Sequence, residues 1–175
     1  MIAALYVDPK GPYPLIPGVD CWDAARDARG YLGPWPVVAH PPCGPWGSLA
    51  HRCKHQDRSL AVTALAHVRW WGGVLEHPYS SRLWTESGVP RDGTPDAYGG
   101  WALRVRQHDW GHRAPKDTLI YVSGLAHGSA VAVPGPRDGP TTAVERMGKL
   151  ERRLTPPAFA DWLVGLARRC EGVPW

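Results

Sequence analysis

No apolar run in the 175-residue chain reaches the roughly 18 to 20 residues that a membrane-crossing helix needs, so no membrane partner is expected. The opening MIAALYVDPKGPYP has neither the basic start nor the long apolar stretch of a secretory signal, and a cytoplasmic location follows as the expectation. There is no internal repeat and no low-complexity tract, which leaves no sign of a solenoid or a tether. Cysteine is scarce as well. Cys21, Cys43, Cys53 and Cys170 allow two disulfides by count, but nothing else suggests a secreted disulfide scaffold, and reduced thiols are expected.

What is present describes an ordinary globular protein. Hydrophobic residues make up 43% and charged residues 21%, and the length fits a single domain over residues 1–175. A formal charge of +4 permits contact with a polyanion without requiring it. Tryptophan is unusually common at ten residues, and Trp46, Trp70, Trp71, Trp84 and Trp110 lie near the motifs below. Most should pack in the core; one or two have the chemistry to stack on a base.

Along the chain, Ala3 to Val7 reads as a strand stopped by Asp8-Pro9, and DCWDAARDARGYL reads as a short helix. Val37 to His40 reads as a buried strand ending at Pro41-Pro42-Cys43-Gly44-Pro45. Leu60, Ala61, Ala64, Leu65, Val68 and Trp71 repeat at helical spacing within residues 57–71, and Gly72-Gly73 supplies the stop. Gly73 to Glu76 is the next strand. A loop over residues 85–100 precedes strands at Ala102 to His108 and Leu119 to Ser123, an antiparallel pair around WGHRAPKD. A loose segment over residues 124–140 leads to a closing helix in TPPAFADWLVGLARRC, with Thr155 as N-cap and Phe159, Leu163, Leu166 and Ala167 on one face. Alternating strands and helices predict an α/β fold, a Rossmann-like, mainly parallel sheet with helices on both faces.

Two strand ends carry the chemistry. Val37-Val-Ala-His-Pro-Pro-Cys-Gly-Pro-Trp46 is a strand followed by Pro-Pro-Cys, and prolines before a cysteine restrict where its sulfur points. Gly72-Gly-Val-Leu-Glu-His-Pro78 is a strand ending in a glutamate. Singly, each has a plainer reading: a proline turn with a buried thiol, and a solvated carboxylate. The helix between them puts both groups at the same edge of a parallel sheet.

The pair resembles the DNA cytosine carbon-5 methyltransferases, in a shortened form. The resemblance implies that Cys43 attacks carbon 6 of the ring, which turns carbon 5 into an enamine-like nucleophile able to accept a methyl group. It implies that Glu76 grips the edge of the flipped base and favours protonation of the ring nitrogen. His40, Pro42, Trp46 and His77 flank these two and are expected at the substrate. Trp110-Gly111 and Thr118 to Gly124 resemble the family's arginine-bearing turn, with Arg113, Pro115 and Lys116 standing where the family has Gln-x-Arg-x-Arg; the cationic role then passes to Arg113 or Lys116. Thr155 to Leu163 resembles the closing turn and helix beside the cofactor.

The cofactor implied is S-adenosylmethionine, with Asp8, Gly11 and Asp20 as its expected contacts. Here the sequence departs from the family's Phe-x-Gly-x-Gly-Gly, since the matching turn reads Leu-Tyr-Val-Asp-Pro-Lys-Gly-Pro-Tyr with Gly11 as its one glycine. Only residues 125–150 remain for target recognition. Ala-His-Pro-Pro-Cys, Leu-Glu-His-Pro and Gly-His-x-Ala-x-Lys are similar to strings in short bacteriophage and prophage proteins, which implies a phage origin and a bacterial host cell.

Three functions stay open: a DNA base-modifying transferase, a catalytically reduced DNA-binding or anti-restriction module, and an enzyme acting on a free pyrimidine nucleotide with another donor. Retaining both Cys43 and Glu76 favours an enzyme. A zinc deaminase is the competing chemistry, because Cys43, His51, Cys53 and His55 crowd together after His40. The His-x-Glu and Pro-Cys-x-x-Cys signatures of zinc deaminases are missing, so no metal is expected. Lys54, Arg52 and His51 read more simply as a basic loop suited to a phosphate backbone.

Overall fold

The computed structural model describes residues 1–54, 56–148 and 150–172. Six strands form one sheet: β1 (Ile2–Leu5), β2 (Val19–Trp22), β3 (Val37–Ala39), β4 (Gly73–Pro78), β5 (Trp101–Arg106) and β6 (Asp117–Ser123). Their order is β2-β1-β3-β4-β6-β5, with β2, β1, β3 and β4 parallel and β6 antiparallel to both of its neighbours. The helices are α1 (Ser59–Trp71), α2 (Arg82–Glu86) and α3 (Pro157–Ala167). This is an α/β architecture with a mostly parallel, mixed sheet, compatible with a Rossmann-like fold.

Side-chain alternation divides the core into two layers. Ile2, Ala4, Val38, Val74, Ile120 and Val122 meet Phe159, Leu163 and Val164 of α3. On the opposite face Ala3, Leu5, Val37, Ala39, Leu75 and Leu119 meet Ala61, Ala64, Leu65 and Val68 of α1 and Leu83 and Trp84 of α2. Between β3 and β4 the backbones approach so closely that a Cβ on Gly73, at φ +117°, would stand 2.0 Å from the Val37 carbonyl oxygen.

Several elements differ from expectation. β1 stops at Leu5 because Tyr6 turns to φ 60°. The segment read as a short helix from Asp20 opens instead as strand β2, whose Val19–Trp22 register pairs with Ile2–Leu5; pairing overrides a weak local helical pattern. Beyond it, the Asp23 carboxylate takes the N–H groups of Ala25 and Arg26 and coils the chain into turns. β4 runs two residues further than expected because His77 and Pro78 pair with Leu119 and Thr118. The expected loop over residues 85–100 begins inside α2, capped by the Ser81 hydroxyl accepting from the Leu83 N–H at 3.1 Å. Thr155 is not the cap of α3. A proline disfavours helical backbone in the residue before it, so Pro156, preceding Pro157, stays extended at ψ 137° and becomes the N-cap without a side-chain bond. The antiparallel β5–β6 pair is present as expected.

The chain leaves β1 toward β2 on one side and returns to β3 on the other. Direction therefore reverses between β1 and β3, and the crevice at their carboxyl ends is where open α/β sheets bind ligands. No helix among the described residues is long and apolar enough to cross a membrane.

Candidate active site

His40 is the first residue beyond β3, and its N–H donates to the Leu5 carbonyl at 3.0 Å across the β1–β3 crevice. Pro41 is buried and Pro42 exposed, and Cys43 then caps a single 3-10 turn, Gly44–Trp46, with Pro45 inside it. Cys43 is exposed by surface area, yet enough protein surrounds the thiol that burial pushes it above its ordinary value. The negative charge of Glu76 pushes in the same direction, while Lys116 and Arg153 oppose it. The loop doubles back so that a Cβ on Gly44 would meet Cys53 Sγ at 2.6 Å.

Glu76 lies on the α3 side of β4, its side chain 13% exposed. Its Oε2 is 3.0 Å from His40 Nδ1, and its Oε1 accepts from Gln107 Nε2 at 2.9 Å. Gln107 sits in the 3-10 turn after β5 and also donates to the Thr118 hydroxyl at 3.1 Å. Continuing away from Glu76, His40 Nε2 stands 2.5 Å from the hydroxyl of Tyr13, which is buried. Burial works to raise the Glu76 carboxyl, but the His40 hydrogen bond and the charges of His40, Lys116 and His77 prevail and hold it down to about 2. At neutral pH the site presents an ionised carboxylate, an acceptor for N–H groups on a ligand edge.

The expected site residues separate into two groups. Cys43, Glu76 and His40 come together at the carboxyl ends of β3 and β4, and Lys116 acts electrostatically on both Cys43 and Glu76. Lys116 holds φ 44° in the turn before β6, and its Nζ donates to the Leu154 carbonyl at 3.3 Å. Arg113 is exposed and pairs with Glu151. Trp46 is a correction: it is 3% exposed, belongs to the α1-side core, and lies under the Arg58 guanidinium at 3.7 Å, which makes it a packing residue rather than a base platform. His77 is another. Alternation turns it to the α2 side, edge-on to Trp84 at 5.8 Å and fully buried, with both ring nitrogens outside hydrogen-bond geometry. Burial lowers it to about 4 against the pull of Glu76 and the Pro42 backbone, so it is neutral at pH 7 and charged only in the acid range where Glu76 titrates.

A cavity of about 600 Å³ opens beside this cluster, lined by Lys10, Gly11, Trp110, Met147, Pro156 and Asp161 among others. Its size falls in the range of small-molecule sites. Gly11 lines the cavity, and a Cβ on it would come 3.1 Å from the Asp8 carbonyl oxygen. Asp8 itself is exposed and takes the Lys10 N–H at 2.9 Å, shaping the turn from outside the lining. Asp20 does not reach the cavity. It pairs laterally with Ala3 on the α1 side of the sheet and is bonded to Arg26 and to Trp22 Nε1.

Tyr13, Gln107 and Thr118 escaped the sequence reading. Gln107 did leave a signal, a polar residue closing an alternating strand just before the family-like turn. Tyr13 left none, since its contact with His40 spans 27 residues. No group of three metal-ligating side chains exists among the described residues; His55, one of the zinc candidates, lies outside them. No family model, no curated protein and no solved structure matches the chain.

Proposed function

We propose that the protein is a DNA base-modifying transferase of the cytosine carbon-5 methyltransferase type, acting through a covalent Cys43 adduct. The observation that carries this reading is the placement of a solvent-reachable thiol and an ionised carboxylate at adjacent parallel strand ends, close enough for Glu76 to act on the thiol electrostatically. Cys43 would add to carbon 6 of the ring as the thiolate, and after carbon 5 takes the methyl group, loss of the carbon 5 proton to solvent would expel the thiolate and restore the 5,6 double bond. The Glu76 carboxylate would accept hydrogen bonds from the exocyclic amino group and from the ring nitrogen once protonated, an edge that cytosine offers and uracil does not. Lys116 and Arg153, the cations that lower the thiol, suit a phosphate backbone approaching the same loop.

The cavity fits a methyl donor of the S-adenosylmethionine class in size and in donor set. Gly11 allows close backbone approach, Trp110 and Met147 offer apolar surface, and Asp161 and Lys10 offer charges of both signs. Such a donor would supply the electrophilic methyl group for carbon 5. Tyr13 precedes the cavity-lining Leu15 and Ile16 and joins this wall to His40 and Glu76.

The raised Cys43 thiol favours a second reading, a DNA-binding module without turnover. Incubation with duplex DNA carrying 5-fluorocytosine, with and without S-adenosylmethionine, separates the two. The transferase should form a denaturation-resistant complex that Cys43→Ser abolishes. Duplex binding without any such complex, with or without donor, would overturn the enzyme reading in favour of the module.

A further inference from the structure

Glu76 is held from two sides, and the hold on its Oε2 leads away from Cys43 into the interior. His40 links it to Tyr13, which is 2% exposed, and the His40 side chain is itself only 12% exposed. An ionised carboxylate only accepts, so His40 donates to it from Nδ1. In the neutral imidazole Nε2 is then the acceptor, and the Tyr13 O–H meets it at 2.5 Å. Burial pushes the Tyr13 phenol well above its ordinary value, helped by negative charge at Glu76, Cys21 and Asp161, so Tyr13 keeps its proton and remains the donor.

We propose that His40 is the positioning residue of this site: the Tyr13 hydroxyl holds its Nε2, and its Nδ1–H fixes the Glu76 carboxylate as an acceptor aimed at the edge of a base. The base edge rests on the functional reading above, whereas the hydrogen-bonded chain exists without any substrate. The groups acting on Glu76 come from every element around it. His40 follows β3 and Cys43 heads the loop beyond, His77 is its neighbour on β4, Gln107 follows β5, Lys116 precedes β6, and Thr118 of β6 reaches it through Gln107. Gln107 grips with an amide whose donor requires no choice of form. His40 offers Glu76 a donor from only one of its two neutral tautomers, and this is what gives the buried Tyr13 hydroxyl a role.

The test is side-chain NMR on the wild type, Tyr13→Phe, His40→Ala and His40→Asn, with adduct trapping in parallel. In the wild type, the ring nitrogens of His40 should report the Nδ1–H form and the Glu76 carboxyl should titrate below the ordinary glutamate range. Tyr13→Phe should loosen the His40 ring, weaken its bond to the carboxylate and move the Glu76 titration upward. His40→Ala should move it further, and His40→Asn, whose amide can place a donor where Nδ1 stood, should restore it. With 5-fluorocytosine DNA at neutral pH, trapping should slow on the order of tenfold in His40→Ala, with an altered pH profile, and recover in His40→Asn. Should His40→Ala fail to fold, the other two variants carry the same expectations. An Nε2–H form in the wild type, or a Glu76 titration indifferent to Tyr13→Phe and His40→Ala, overturns the proposal. If the NMR results hold while the wild type traps nothing, the functional reading fails and the positioning of Glu76 stands.

Discussion

At the scale of single residues, Cys43 is set between opposite influences: Glu76 disfavours its thiolate, Lys116 and Arg153 favour it, and burial adds to the first side. Alkylation by iodoacetamide reads the balance directly, because the thiolate is the reacting form. Cys43 should react slowly at pH 7 and faster with rising pH, with a midpoint above that of an ordinary cysteine. Glu76→Gln should speed the reaction at pH 7 by roughly threefold and Lys116→Met should slow it by a similar factor, both measured by peptide mass spectrometry. No change in either variant would mean that burial alone sets the thiol. The cysteine and the glutamate drew notice in the sequence because each follows a short apolar run, where a polar or nucleophilic side chain stands out. Trp46 and His77 were misplaced because adjacency in sequence puts them beside these two groups, whereas period-two alternation along β4 turns His77 to the other face and the 3-10 turn after Cys43 carries Trp46 into the α1-side core.

At the scale of elements, the loop between α2 and β5 is organised by Asp96. Its carboxylate, 1% exposed, takes Arg69 Nη2 at 2.7 Å and the Tyr121 hydroxyl at 2.9 Å, along with the N–H groups of Tyr98 and Gly100. Removing it leaves the Arg69 guanidinium, 16% exposed, without its counter-charge. Asp96→Ala should destabilise the fold by about 3 kcal/mol in urea titration. A loss below about 1 kcal/mol would show that Tyr98, stacked 4.0 Å from the Arg69 guanidinium carbon, suffices to hold it. The part that joins this glycine-rich polar stretch to the rest of the fold was not visible, since the bonds among Asp96, Arg69 and Tyr121 link residues 25 to 52 positions apart. α1 and α3 were legible from spacing alone because each buries one stripe against a sheet face. β2 was not, because four half-buried residues gain their strand only from a partner already in place.

At the scale of the whole molecule, two groups on opposite faces of β4 make stability depend on acid in the same direction. His77 falls to about 4 and Glu76 to about 2, each below its unfolded value, so the unfolded chain binds more protons through both windows. Stability is complete above about pH 6.5, is lost between there and 4 as His77 must charge, and is lost further from about 4.5 to 2 as Glu76 must protonate. Urea unfolding at pH 4.5 should give a free energy about 2 to 3 kcal/mol below that at pH 7. His77→Leu should shrink the upper window, to which the lowered His67 and His112 still contribute, and should narrow the lower one slightly, because the His77 charge helps to hold Glu76 down in acid. A wild-type curve level from pH 7 to 4.5 would mean that His77 opens to solvent before it charges.

The backbone of Glu171 passes between two glycines that sit far apart in the chain. A Cβ on Gly124 would come 2.0 Å from its carbonyl oxygen and one on Gly72 would come 2.7 Å from it, while its N–H donates to the Gly124 carbonyl at 2.8 Å. The stretch after α3 therefore works as a buckle, fastening the start of β4 to the end of β6. An affinity handle or reporter inserted before residue 171 would unfasten that joint.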